Sequence, residues 1–132
     1  MANFYGSGRS NYVSIKPKMR EKFIELCGDF ELRFIEREDK VGFFSDTEDG
    51  GFGGYFEDED GITTSRDALH EFSELLEKGE VLIFITVGSE KMRYICGYAL
   101  AINSKGEMVD VSLDDIYKKA KSLGKNITTA EY

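Results

Sequence analysis

The spacing of hydrophobic positions along the chain changes several times, and each change marks an element. In residues 11–15 (NYVSI) apolar and polar residues alternate weakly, which predicts a strand. From 17 to 27 the period widens. Met19, Phe23, Leu26 and Cys27 recur at helical spacing, Pro17 suits the first helical position, and Gly28 stands where a left-handed cap would close the helix. Residues 30–36 return to alternation, with Phe30, Leu32 and Phe34 on one face and Glu31 and Arg33 on the other. A turn at Glu38, Asp39 and Lys40 leads to a hairpin partner at 41–45. A second helix is predicted over 65–78, where Ala68, Leu69, Phe72, Leu75 and Leu76 form one stripe. Thr64 and Asp67 resemble a capping box ahead of it, and Gly79 ends it.

The run EVLIFITV (80–87) is apolar at consecutive positions, which predicts a central strand covered on both faces. Residues 92–103 and 107–111 follow across short turns and read as the rest of an antiparallel meander. Ser112 and Asp115 open a last helix, 113–123, with Leu113, Ile116, Tyr117, Ala120 and Leu123 turned inward and lysines at its C-terminal end, where they complement the macrodipole. The sum is an α+β fold: a mostly antiparallel sheet of five to six strands with three helices packed on it, in a single domain of residues 1–132.

Composition narrows the function classes. With 41% hydrophobic and 13% aromatic residues, the 132-residue chain can fill one core and is too apolar for a disordered segment. Its net charge of −8 opposes non-specific binding to nucleic acid or anionic membrane, which rests on Lys and Arg, and favours a basic protein partner. The excess is local, since residues 29–90 hold eighteen acidic and five basic side chains. Cys27 and Cys96 both lie inside apolar runs, so both are expected as buried free thiols of a reducing compartment. The opening residues lack the apolar core of a signal peptide, and the longest apolar run, VLIFITV, falls far short of the ~20 residues that span a bilayer. A cytoplasmic protein with no membrane association is expected.

The acidity concentrates in residues 45–61, SDTEDGGFGGYFEDEDG, an acidic Gly-rich loop with seven carboxylates, five glycines and no basic residue. Counting Asp46 as the first position of a calcium loop puts Gly51 and Glu57 where such a loop wants Gly and Glu, but Gly50 stands where a ligand belongs. The GGFGG segment lacks the spacing of a phosphate loop. No metal site and no cofactor are expected. The single histidine, His70, lies on the flank of a helix beside Glu71 and Glu74 and reads as solvated, and no nucleophile motif occurs, so no catalytic residues are assigned. Residues 3–12, with Phe4, Tyr5, Arg9 and Tyr12, read as an N-terminal arm packed on the core rather than a base-stacking platform.

What remains for the acidic stretch is a surface. Asp46, Glu48 and Asp49 form one group of carboxylates, and Glu57, Asp58, Glu59 and Asp60 form another, with Phe52 and Tyr55 between them. Charge steers an encounter and aromatic anchors hold it, so these nine residues are the candidate partner-binding set.

With the opening MANFYGSGRSNY, the central VLIFITVGSEKMRYICGYA and the closing SLDDIYKKAKSLGKNITTAEY in view, the chain resembles small uncharacterised proteins of bacterial phages and plasmids. In size and charge it is similar to phage counter-defence inhibitors of the anti-CRISPR and anti-restriction type. Joined to the acidic stretch, this resemblance implies a non-enzymatic inhibitor of a basic nucleic-acid-binding protein, such as a host nuclease or a CRISPR effector, with no direct contact to nucleic acid. Two other readings stay open. One is a small enzyme or ligand-binding domain with a pocket over the sheet, and the other is an immunity protein or antitoxin for a basic toxin.

Overall fold

The computed structural model describes residues 4–46, 55–57, 63–65, 67–90 and 94–130. In chain order these form β1 (Phe4–Ser10), α1 (Arg20–Asp29), β2 (Leu32–Arg37), β3 (Lys40–Ser45), β4 (Tyr55–Glu57), β5 (Thr63–Ser65), α2 (Ala68–Ser73), β6 (Val81–Glu90), β7 (Tyr94–Asn103), β8 (Met108–Ser112) and α3 (Asp115–Ala120). Six strands make one antiparallel sheet in the order β2-β3-β1-β6-β7-β8, and β4 pairs only with β5. The fold is α+β, as the periodicity predicts.

The β2–β3 hairpin and the β6–β7–β8 meander fall where alternation and turn residues place them. The start of the chain differs. Residues 4–10 are an interior strand, paired with β6 from Phe4↔Glu90 to Ser10↔Phe84, rather than an arm laid on the core. Residues 11–15, expected as the strand, contribute only single bridges at Val13 and Ile15. Asn11 still ties this segment to β6. Its side-chain oxygen accepts from the Ile83 N–H at 2.8 Å and its amide donates to the Val81 carbonyl at 3.0 Å.

Helix boundaries shift for a backbone reason. Lys18 takes φ +67°, so Pro17 and Lys18 occupy a turn closed by Met19 N–H to the Lys16 carbonyl, and α1 begins only at Arg20. At its far end Gly28 is helical, and the left-handed residue is Glu31, φ +58°. This shift lets Phe30 enter the core. α2 is shorter than its apolar stripe. After Ser73 the bonds tighten to Leu75 N–H→Phe72 O and Leu76 N–H→Ser73 O, and the chain then pairs with residues 14–16, burying Leu75 and Leu76 outside the helix. Asp67, not Thr64, caps α2, its Oδ1 accepting the His70 N–H at 3.2 Å, while Thr64 belongs to β5.

α1 and α2 cover one side of the sheet. Phe23 from α1, Phe30 at its C-cap, Phe72 from α2, and Phe43 and Phe84 from the sheet are fully buried, with the Phe43 and Phe72 ring centroids 4.8 Å apart. The other side is open. Leu82, Phe84 and Thr86 of β6 face the core, but Ile85 and Val87 are each 52% exposed, so β6 is central yet covered on one face only. α3 departs from expectation in the same direction. It has no buried residue, and Leu113, Ile116 and Leu123, expected inward, are exposed, Leu123 at 90%. Among the described residues no helix is long and apolar enough to cross a membrane.

Candidate interaction surfaces

Strand register places residues that pair across strands on the same side of the sheet. One row therefore crosses all six strands on the open side: Arg33, Phe44, Arg9, Ile85, Ala99 and Val111. The row divides the face into two halves. Over β2, β3 and β1 it is cationic, with Arg9, Arg33, Arg37 and Lys40 exposed around Phe44, and the Arg9 guanidinium 5.7 Å from the Tyr12 ring centroid. Over β6, β7 and β8 it is apolar. Ile83, Ile85 and Val87 form one ridge and Val109, Val111 and Leu113 another, while β7 between them supplies only Gly97, Ala99 and Ala101.

Gly97 marks the low point of this trough. A Cβ there would stand 3.0 Å from Leu113 Cδ1 and 3.2 Å from Val87 Cγ1, so the two ridges lean over the missing side chain. The trough encloses about 180 Å³ between Ile85, Val87, Gly97, Ala99, Val111 and Leu113. A wider groove of about 460 Å³ adjoins it, lined by Gly6, Ser7, Gly88, Ser89, Ile95 and Cys96 as well as Val87 and Leu113. These residues were not among the sequence candidates. The alternating valines of MVDVS are the sequence signal that could have found them, because they pattern a strand with one apolar face.

Of the acidic candidates, Asp46 is exposed at the end of β3. Its N–H bonds the Glu31 carbonyl at 3.1 Å and its carboxylate lies 3.3 Å from Arg33 Nε. Both partners are more than half exposed, so this pair adds little stability. Tyr55 and Glu57 belong to β4, whose backbone pairs with Ser65 and Thr63, so the predicted loop is strand at that point. Glu48, Asp49, Phe52, Asp58, Glu59 and Asp60 lie outside the described residues. The acidity continues onto α2 and the turns after it, where Asp67, Glu74 and Glu77 are exposed and Glu71 is half-buried. His70 is exposed there, as expected, with Nδ1 against Asp67 Oδ2. Among the described residues no group of three or more His, Cys, Asp or Glu is placed to hold a metal ion.

One strong exposed ion pair sits on the opposite edge. Arg20 donates to both Glu36 carboxylate oxygens, at 2.8 and 3.1 Å, with its guanidinium 5.2 Å from the Phe34 ring centroid. The hydrogen bond from Arg20 holds the Glu36 carboxyl below its ordinary range. The pair is a brace between α1 and β2.

The cysteines divide, against the expectation that both are buried. Cys27 is sealed in the core, where desolvation pushes its thiol up to about 12. Cys96 is exposed, near the start of β7. Native protein treated with a small aromatic disulfide reagent is therefore expected to release one equivalent of thiolate at Cys96. Cys27 should follow only on unfolding. Two equivalents released together from native protein would contradict the sealed position of Cys27.

These surfaces define an α+β protein with a one-sided sheet, an open face divided between cationic and apolar halves, and acidic side chains on and after α2. No family model, curated protein or solved structure matches the chain.

Proposed function

We propose that the chain is a non-enzymatic interaction protein, an inhibitor of the phage counter-defence kind, that docks an acidic surface on a basic nucleic-acid-binding protein. The observation that carries this reading is the continuity of acidic charge from the end of β3 to the turn after α2. Between Ser45 and Glu77 the sequence holds eleven Asp and Glu and a single Arg or Lys, Arg66. The part of that span from Asp67 to Glu77 rests on an element anchored in the core by Leu69 and Phe72. Carboxylates on a fixed base can occupy the places that phosphates take on a basic protein, and they raise its rate of capture.

The test is affinity capture from a host lysate with the wild-type chain and with the quadruple variant E57Q/D58N/E59Q/D60N. The Debye length falls from about 10 Å at 0.1 M salt to about 3 Å at 1 M, so loss of these charges should matter most at low salt. The wild type is expected to retain a basic nucleic-acid-binding protein at low salt, and the variant to retain much less of it. Equal retention by both chains, or capture of no basic protein, would refute the reading.

A further inference from the structure

We infer that the apolar half of the open sheet face is where two copies of this chain associate, face to face about a two-fold axis. The inference uses residues separate from the acidic surface and goes beyond the function proposed for it. Its first support is extent. Val81, Ile85, Val87, Val109, Val111 and Leu113 are each between 42% and 71% exposed, and Ile95, which lines the adjoining groove with Val87 and Leu113, extends the patch at its margin. At such exposures the patch presents on the order of 600 Å², at the upper end of the roughly 300–600 Å² of the largest patch on a typical monomer and most of the ~800 Å² each partner gives to a standard interface.

Shape is the second support. A contact about a two-fold axis joins one surface to itself, so that surface has to carry both the projection and the recess. This one does. The ridges of β6 and β8 flank the trough over Gly97, Ala99 and Ala101, and a ridge of the second copy is the shape the trough lacks. The trough's 180 Å³ is smaller than the roughly 300–1,000 Å³ of small-molecule sites and suits inserted side chains, while the adjoining groove, at about 460 Å³, falls within that range.

Charge selects the occupant. The chain carries −8, so two copies repel wherever their carboxylates meet. The two ridges and the trough hold no Asp, Glu, Lys, Arg or His, and the nearest charge along the central row is Arg9, beside Ile85. A charged partner finds nothing complementary here, whereas a second copy needs nothing.

Sedimentation of the intact chain from about 1 µM to about 1 mM tests this. The wild type is expected to approach twice its 14.9 kDa as concentration rises. Val111→Lys places an unpaired ammonium from each copy in the contact and should raise the dissociation constant at least about 100-fold. Ala99→Leu fills the trough with apolar atoms. It should weaken an interlocked dimer about 10-fold, whereas indiscriminate apolar association would tighten. Both positions face away from the core, and thermal melts of the variants check that folding is retained. A wild type that stays at 14.9 kDa throughout overturns the proposal and gives the face to another occupant. A dimer unmoved by Val111→Lys, or tightened by Ala99→Leu, overturns it as well.

Discussion

Phe72→Ala is expected to cost about 3–5 kcal/mol of stability, the range for removing a fully buried aromatic side chain. Phe72 is completely inaccessible, with its ring centroid 4.8 Å from that of Phe43, 5.0 Å from Phe23 and 6.3 Å from Phe30. It is therefore the side chain through which α2 grips both α1 and the sheet. α2 is only six residues long, too short to hold its helical form without that packing. For a chain of this size the midpoint of thermal unfolding should fall by roughly 10–20 °C. Urea unfolding should show a lower midpoint with an unchanged slope. A loss under about 1 kcal/mol would mean that α2 does not dock through this ring.

A single added methyl group is expected to do comparable damage at Gly42. A Cβ there would lie 2.6 Å from the Asn11 carbonyl oxygen and 2.9 Å from Ser10 Oγ. Neither can retreat cheaply. Ser10 Oγ donates to the Asn11 carbonyl at 2.8 Å and accepts the buried Phe43 N–H at 2.8 Å, which stitches β3 to the end of β1. Overpacking of about 1–3 kcal/mol, together with about 1–3 kcal/mol for an amide left without its acceptor, gives an expected cost of about 2–5 kcal/mol for Gly42→Ala. Gly28→Ala is the contrast. That glycine is helical with nothing within 4 Å of its Cβ position, so alanine should stabilise α1 by about 0.5–1 kcal/mol. Denaturant unfolding of the two variants should move in opposite directions, and a Gly42→Ala protein as stable as the wild type would rule out the tight crossing.

What the sequence disclosed follows the range of each signal. The hairpin of β2 and β3 and the meander of β6, β7 and β8 are legible because alternation and turn residues are local properties. The ends of α1 are not legible because Lys18 and Glu31 take the left-handed region that glycine normally marks, while Gly28 does not. β1 is not legible because FYGSGRS has little β-branched or alternating character, and its pairing is supplied by distant neighbours. Consecutive apolar residues in VLIFITV admit two meanings, a strand covered twice or one covered once with an apolar open face. Only the placement of both packed helices on the Phe84 side decides between them. The candidate surfaces divide the same way. Acidity can be counted along the chain, but that Ile85, Ala99 and Val111 stand in one row is a property of register alone.

The interior position of β1 sets an order in time. The β2–β3 hairpin closes among neighbouring residues, and so does the β6–β8 meander, but within the sheet the two are joined only through β1, which pairs with β3 on one side and β6 on the other. β1 is synthesised before both strands it pairs with, and Phe4 pairs with Glu90, so everything between them is made before that seam can close. Joining the halves requires closure of a long loop, the slow kind of step in folding. Until that closure β3 and β6 each lack a neighbour in the sheet, and the strand that supplies both is the one furthest from β6 along the chain.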